Sequence, residues 1–264
     1  MNRVAFNLFG LDIYYYSIFI LIGVLVSFYL IKKESDRLSL DTNKVLDLVF
    51  YGLIVGIIGA RVYYIIFNFN YYQKDLLQIF AIRNGGLAIH GGIISALIFI
   101  YFYTRKNNMN LLRTLDLIVP GVIIAQGIGR WGNFFNMEAH GGVTTYSVLK
   151  NMYIPEFVIE GMKIDGVYYF PTFYIESIWC LFGFIVMLLF RKNKRLKLGF
   201  LTGFYFIWYS FGRFFIESMR TDSLMLFNLK MAMIVSLVGI VAGIIIIIYS
   251  YKNKIKYLDV EVIK

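Results

Sequence analysis

Ile234-Val235-Ser236-Leu237-Val238-Gly239-Ile240-Val241-Ala242-Gly243-Ile244-Ile245-Ile246-Ile247-Ile248-Tyr249 is a run without a single charged residue. It is apolar on every side, so a helix built from it has no face to offer water and belongs in a deep core or in lipid. With its flanks it reaches the ~20 residues that a helix needs to cross hydrocarbon. Similar runs fill 18–31 and 93–103. Across 264 residues the chain is 59% hydrophobic, 19% aromatic and 16% charged, against about 45–50% apolar and about 25% charged in a soluble domain. The excess sits in runs, which excludes a soluble enzyme, a disordered chain and a disulfide-built secreted domain. The expected class is an all-α integral membrane protein.

Seven such segments are read, near 14–31, 46–67, 85–103, 116–136, 171–190, 199–215 and 231–249. Lys and Arg concentrate in cytoplasmic loops. Of the 26 basic residues, sixteen fall in the segments 32–45, 104–115, 191–198 and the tail from 250. Seven fall in the alternate connections, and Arg61, Arg130 and Arg213 lie inside spans. The bundle of seven transmembrane helices therefore has its N-terminus outside and its C-terminus in the cytoplasm. The net charge of +10 is explained by this bias, so no nucleic acid partner is expected. The lysine-rich tail reads as an anchor on the anionic inner leaflet.

The start of the chain lacks a Lys/Arg-rich segment, and no small-residue cleavage pattern follows its first apolar run, so that run is expected to be a retained span. Cys180 is the one cysteine. It rules out an internal disulfide and a Cys-based zinc site, and it reads as a small buried hydrophobe. Residues 1–264 form a single polytopic membrane domain. Its longest connection, about 139–170, carries Gly141, Gly142, Pro155 and mixed charge, which suggests a small ordered outer cap between spans four and five.

A charge at the bilayer centre costs roughly 2.5–3.5 kcal/mol on insertion scales. This chain places Arg61, His90, Arg130, Glu138, Glu176, Arg213 and Glu217 inside its spans or at their outer edges. Internal salt bridges or snorkelling explain any one of them; the set reads as one polar site opening outward. Tyr209, Arg213 and Glu217 are four residues apart and share a helical face. Arg213 pairing with Glu217 leaves its guanidinium a second edge for a phosphate. Gly127, Gly129 and Gly132 permit close packing or local unwinding. His90 stands between Gly85-Gly86 and Gly91-Gly92; a hydrogen-bonded structural histidine and a proton acceptor near neutral pH both fit it. With only two histidines and no carboxylate cluster, no metal is expected.

These segments resemble a known family. Residues 129–142 are similar to the signature G-R-x-G-N-F-x-N-x-E-x-x-G of the bacterial phosphatidylglycerol–prolipoprotein diacylglyceryl transferases, with all eight specified positions present. Residues 85–92 resemble its G-G-L-x-x-H-G-G segment. Tyr209, Arg213, Glu217, Arg220 and Asp222 resemble its Y-x-x-x-R-x-x-x-E-x-x-R-x-D stretch. Gly59-Ala60-Arg61 with Tyr64 also fits, and Tyr16 looks like the family's first-span tyrosine. Two segments depart. The family's H-P-T-x-L-Y-E appears as Phe170-Pro171-Thr172-Phe173-Tyr174-Ile175-Glu176, and Met233 stands where many members have Gln.

The resemblance implies transfer of the diacylglyceryl group of phosphatidylglycerol to the lipobox cysteine of a preprolipoprotein. The thioether-linked prolipoprotein and glycerol 1-phosphate are the implied products, the bacterial cytoplasmic membrane the implied location, and no cofactor is implied. A thiol with an ordinary pKa of about 8.5 needs a base, and His90 is the expected one. Arg130 and Arg213 are expected to hold the departing phosphate. Asn133, Asn136 and Tyr209 are expected to orient the head group, and Glu138 and Glu217 the arginines. Tyr16 caps the site from the first span, and Arg61 and Gly141 complete the substrate contacts. The alternative from another class is a seven-span transporter or ion-coupled channel using the same Arg/Glu set. That reading calls for internal repeats, and none is visible, or for polar residues across the full membrane depth.

Overall fold

Apolar runs fold as helices here, and the polar punctuation between them folds as turns and short ribbons. A computed structural model of the chain describes residues 3–73, 75–81, 85–221, 225–226, 229–253 and 255–259. Asp222 and the basic residues Lys74, Arg83, Lys254 and Lys264, which enter the sequence reading, lie outside the described residues. The elements in chain order are β1 (Val4–Leu8), β2 (Leu11–Tyr14), α1 (Tyr15–Arg37), α2 (Thr42–Phe67), α3 (Phe69–Tyr72), a 3-10 turn (Leu76–Phe80), α4 (Ile89–Lys106) and α5 (Leu111–Asn136). There follow β3 (Val143–Thr144), α6 (Tyr146–Asn151), α7 (Glu156–Gly161), β4 (Lys163–Ile164), β5 (Val167–Tyr169), α8 (Thr172–Arg191), α9 (Phe200–Met219), β6 (Met225–Leu226), β7 (Leu229–Lys230) and α10 (Met231–Asn253).

Among the described residues, seven long helices, α1, α2, α4, α5, α8, α9 and α10, each take up most of one apolar segment read from the sequence, although α4 begins at Ile89 and leaves 85–88 outside it. Five of them, α1, α2, α5, α8 and α10, are long and apolar enough to cross a membrane, as expected of a multi-pass membrane protein. The helices outrun the apolar runs at their basic ends: α1 continues to Arg37, α4 to Lys106 and α8 to Arg191. Backbone hydrogen bonding continues past the point where side chains turn polar, and hydropathy registers only the side chains. The chain is mostly helical, in keeping with the expected all-α class. Seven short strands form three small antiparallel sheets among the described residues, all outside the long helices. Strands of two to five residues are too short to show a period in sequence.

The chain divides into two compact units. Of the described residues, one takes those up to Leu30 and those from Leu115 to Asp259; the other takes Ile31 to Thr114.

In the first unit, α8 and α9 lock through Trp179 and Trp208. The start of α9 is fixed by buried Asp116 of α5. Its Oδ2 accepts the Gly199 N–H at 2.6 Å, and its Oδ1 accepts the Thr202 N–H at 2.8 Å and the Thr202 hydroxyl at 2.6 Å. A carboxylate on the free N–H groups of a first helical turn satisfies donors that the helix itself cannot and complements the positive end of its dipole. Residues between α5 and α8 form an ordered insertion in which β3, β5 and β4 pair antiparallel. Its core joins Leu149, Val158, Ile159 and Met162 to Phe134 of α5 and Phe173 of α8. The insertion thus grows out of the two helix ends that carry the polar residues. The β1–β2 hairpin puts Phe6, Leu8, Leu11 and Ile13 on one face and Asn7 paired to Asp12 (2.8 Å) on the other.

In the second unit, α2 and α4 approach through glycines. A Cβ on Gly91 would lie 2.6 Å from the Gly59 carbonyl oxygen and collide with Tyr63, and one on Gly59 would collide with Ser95. Such close backbone approach through small residues is how helices associate where no hydrophobic drive separates them from lipid. Gly91 and Gly92, flanking His90, are therefore explained by packing on α2. The first turn of α2 is capped by Asp41, whose side chain accepts the Lys44 N–H at 3.2 Å.

Candidate active site

Three side chains from two helices meet around one carboxylate on a third. Glu176, in the second turn of α8, has a side chain 3% exposed. Its Oε1 lies 2.8 Å from Arg130 Nη2 of α5 and accepts the Tyr209 hydroxyl of α9 at 3.2 Å. Its Oε2 accepts from Arg213 Nη1 of α9 at 2.9 Å. Arg130 Nη2 also donates to the Tyr209 oxygen at 3.2 Å. The shared face of Tyr209, Arg213 and Glu217 read from their spacing is present, because Arg213 Nη2 lies 2.5 Å from Glu217 Oε2 one turn on. That contact is a close ion pair whose angles fall short of a hydrogen bond, as the Glu217 Oε2 atom is without an aligned donor. Arg220 Nη1 approaches the same oxygen at 3.8 Å.

The second edge of Arg213, expected to be open for a phosphate, faces Glu176 instead. Both terminal nitrogens of Arg213 lie against carboxylates. Sequence reasoning noted Glu176 as an intramembrane carboxylate and gave it no role. Its partners sit on other helices, so no local spacing announces them. Gln126 and Tyr205 were missed as well. The Tyr205 hydroxyl donates to Gln126 Oε1 at 3.2 Å, and the Tyr205 ring stacks along Tyr209 with centroids 5.9 Å apart. The available signal was an amide one turn before Arg130, after the apolar stretch 117–125 of α5.

The end of α5 is set by its neighbours. The helix runs unbroken through Gly127, Gly129 and Gly132 to Asn136, so these glycines serve close approach rather than unwinding. A Cβ on Gly132 would stand 2.6 Å from the Tyr16 ring and 3.1 Å from the Tyr16 Cα. Tyr16 therefore packs on α5 at Gly132, two residues beyond Arg130. Beyond the helix, Met137 and Ala139 adopt positive φ, and the loop is held by the Thr172 hydroxyl donating to the Ala139 carbonyl at 2.5 Å. Gly141 donates its N–H to the Phe170 carbonyl at 2.8 Å and pairs with Arg220 across a β-bridge. A Cβ on Gly141 would press on Phe170 at 2.9 Å. Asn133 is half-buried. Glu138 is exposed and accepts from Asn136 Nδ2 at 3.1 Å; the carboxylates beside Arg130 and Arg213 are Glu176 and Glu217, not Glu138.

Arg61 and His90 belong to the second unit. Arg61 is buried, and its guanidinium is met by carbonyls. Its Nε donates to Ile79 at 2.9 Å, its Nη1 to Gly85 at 2.7 Å and Gly86 at 3.0 Å, and its Nη2 to Gln78 at 2.5 Å. The Tyr72 ring lies 5.2 Å from its central carbon. Those bonds gather the connection between α2 and α4 around one cation. His90 is the second residue of α4, half-buried, at a helix start where Ala88 provides no side-chain cap.

A model of the prolipoprotein diacylglyceryl transferase family matches residues 3–249. A phosphatidylglycerol–prolipoprotein diacylglyceryl transferase of Staphylococcus carnosus is 46% identical over 265 residues, covering 99% of this chain and 95% of the relative. One of Clostridium novyi is 48% identical over 255 residues, covering 96% and 98%. One of Clostridioides difficile is 47% identical over 255 residues, covering 96% and 98%.

Proposed function

The chain belongs to the prolipoprotein diacylglyceryl transferase family, and from that membership we propose that it transfers the diacylglyceryl group of phosphatidylglycerol to the lipobox cysteine of a preprolipoprotein. The proposal includes one polytopic domain of seven crossings in the bacterial cytoplasmic membrane, N-terminus outside, with the insertion at 139–170 as an outer cap. The observation that carries the chemistry is the convergence of Arg130, Arg213 and Tyr209 on one buried carboxylate. Two guanidinium groups fixed side by side on rigid helices suit a phosphate oxyanion, to which arginine presents paired donors. A transporter reading has no comparable support in the family.

In the proposed reaction the cysteine sulfur forms a bond to the glyceryl carbon as the bond from that carbon to the phosphate oxygen breaks. The electron pair leaves with the oxygen, giving glycerol 1-phosphate, and the thiol proton passes to His90. Charge develops on the leaving phosphate, where fixed donors are worth about 3–4 kcal/mol each in a water-poor site. Arg130 and Arg213 supply those donors. Tyr209, Asn133, Asn136 and Gly141 line the head-group side, Tyr16 covers it, and Glu217 and Glu138 complete its polar surround. Arg61 we assign to shaping the α2–α4 connection, because backbone carbonyls already meet its guanidinium.

The test is purified protein in vesicles containing head-group-labelled phosphatidylglycerol, with a lipobox peptide added. Lipidated peptide and labelled glycerol 1-phosphate are expected together. Neither product appearing, with the lipid and peptide intact, would sink the proposal.

A further inference from the structure

Glu176 is a buried charge that the proposed reaction does not yet use. Its carboxylate occupies the place between Arg130 and Arg213 that an anion gripped by both would take, with oxygens at 2.8 and 2.9 Å from the two guanidinium groups. It is 3% exposed, whereas the Arg130 and Arg213 side chains keep 22% and 15% of their surface accessible. The two cations are thus backed by a fixed negative charge, and their side chains keep some surface accessible. We propose that Glu176 is an internal counter-anion that sets how tightly the arginine pair holds phosphate, and that it weakens the product more than the substrate. It is a positioning residue that acts through the arginines.

The inference rests on the proposed transfer reaction and follows from its charge balance. Phosphatidylglycerol presents a phosphodiester with one negative charge. When the glyceryl carbon–oxygen bond breaks, the phosphate oxygen keeps the electron pair, so glycerol 1-phosphate is a monoester. Such monoesters are mostly dianionic near pH 7, because their second pKa lies at about 6. The sulfur becomes a neutral thioether and its proton goes to the base. The anion beside the arginines therefore gains one charge during turnover. Arginines alone would hold this product more tightly than the substrate and stall the site. A fixed carboxylate repels any anion in proportion to that anion's charge. Its penalty on the dianion, counted in factors of ten, is twice its penalty on the monoanion. Substrate affinity is lowered somewhat, product affinity by the square of that factor, and release is favoured.

Glu176→Gln removes the charge and keeps the shape; Glu176→Asp keeps the charge. The probes are glycerophosphoglycerol, a water-soluble diester with one charge, and glycerol 1-phosphate, both measured at pH 8 by displacement of short-chain phosphatidylglycerol from detergent-solubilised protein. One unit charge at contact range shifts an ionic equilibrium by about one to three factors of ten. Glu176→Gln should therefore tighten the diester about tenfold and the monoester about a hundredfold, with glycerol 1-phosphate becoming a strong product inhibitor. Glu176→Asp should stay near the native ratio. Equal tightening of both probes, or loss of both, would assign Glu176 to holding the arginines in place and overturn the inference. If Glu176→Gln does not fold, the native protein decides: a preference for the monoester over the diester greater than about tenfold at pH 8 excludes a counter-anion. Failure of the native protein to lipidate the peptide is a separate result and concerns the reaction itself.

Discussion

Trp179 of α8 and Trp208 of α9 stack with ring centroids 4.2 Å apart and planes 10° apart, and each indole N–H donates to the other residue's backbone carbonyl, at 2.9 and 3.1 Å. The pair lies one turn from Glu176 on one helix and directly before Tyr209 on the other. It therefore sets the rotation and height at which Glu176 faces Arg213. Trp179→Phe removes one indole bond and part of the stack, worth about 1 kcal/mol each. The expected loss is about 2 kcal/mol, read as a lower melting temperature in detergent. Transfer activity should fall with it, because the helices no longer hold one register.

Arg130→Lys and Arg213→Lys keep the charge and lose the planar fork. An ammonium has three donors on a flexible stem and cannot reproduce two fixed parallel bonds. Each substitution should lower the transfer rate by about a hundredfold or more, the loss found when one preorganised donor is removed. Release of labelled glycerol 1-phosphate from vesicles measures it. Lysine at either position supporting near-native rates would mean that charge alone suffices there.

His90→Ala tests the proposed base. The variant should still bind phosphatidylglycerol while losing glycerol phosphate release at neutral pH. Recovery at alkaline pH is the accompanying signature, since the thiol ionises without help above its own pKa of about 8.5. Near-full turnover of the variant at pH 7 would remove His90 from the mechanism.

Gly132→Ala should damage the site from outside it. The added methyl meets the Tyr16 ring at 2.6 Å and the Tyr16 Cα at 3.1 Å, and overpacking of this kind costs about 1–3 kcal/mol. Adding Tyr16→Ala relieves the ring contact but leaves the backbone contact. The double variant should therefore recover only part of the lost stability, as thermal melts of the four-member set would report.

Arg61→Ala should act on stability before it acts on binding. Removing the guanidinium takes a charged donor away from the carbonyls of Gln78, Ile79, Gly85 and Gly86, of which Gln78 keeps the Ala81 N–H. A lost hydrogen bond to a charged group costs about 1.5–3 kcal/mol, so a large drop in melting temperature is expected. Head-group affinity of the folded fraction should be unchanged. Intact stability with lost affinity would return Arg61 to the list of substrate contacts.

Much of this was legible in the sequence, and the rest was not, for reasons that particular residues make plain. The seven long helices follow from apolar runs because a segment like 234–249 has no polar face to present to anything but lipid or core. The shared face of Tyr209, Arg213 and Glu217 is local geometry, fixed by the helical repeat. The signature residues 129–142 pointed to the family because all eight specified positions of its pattern are present. Glu138 was expected to help orient the arginines, yet the chain turns through positive φ at Met137 and Ala139, and its carboxylate accepts from Asn136.

What the sequence determined by itself was the solvent, the helices and which charges are stranded among apolar residues, since each depends on composition or on spacing within one helix. Which stranded charges on different helices neutralise one another was decided only by the tertiary structure. Arg130, Glu176 and Arg213 lie on three helices, and the distance between their charged ends depends on how those helices are rotated and seated, through contacts such as Trp179 on Trp208 and Gly132 under Tyr16. An ion pair acts over a few ångströms in space, and spacing along the chain holds no information about that distance once the partners sit on different helices.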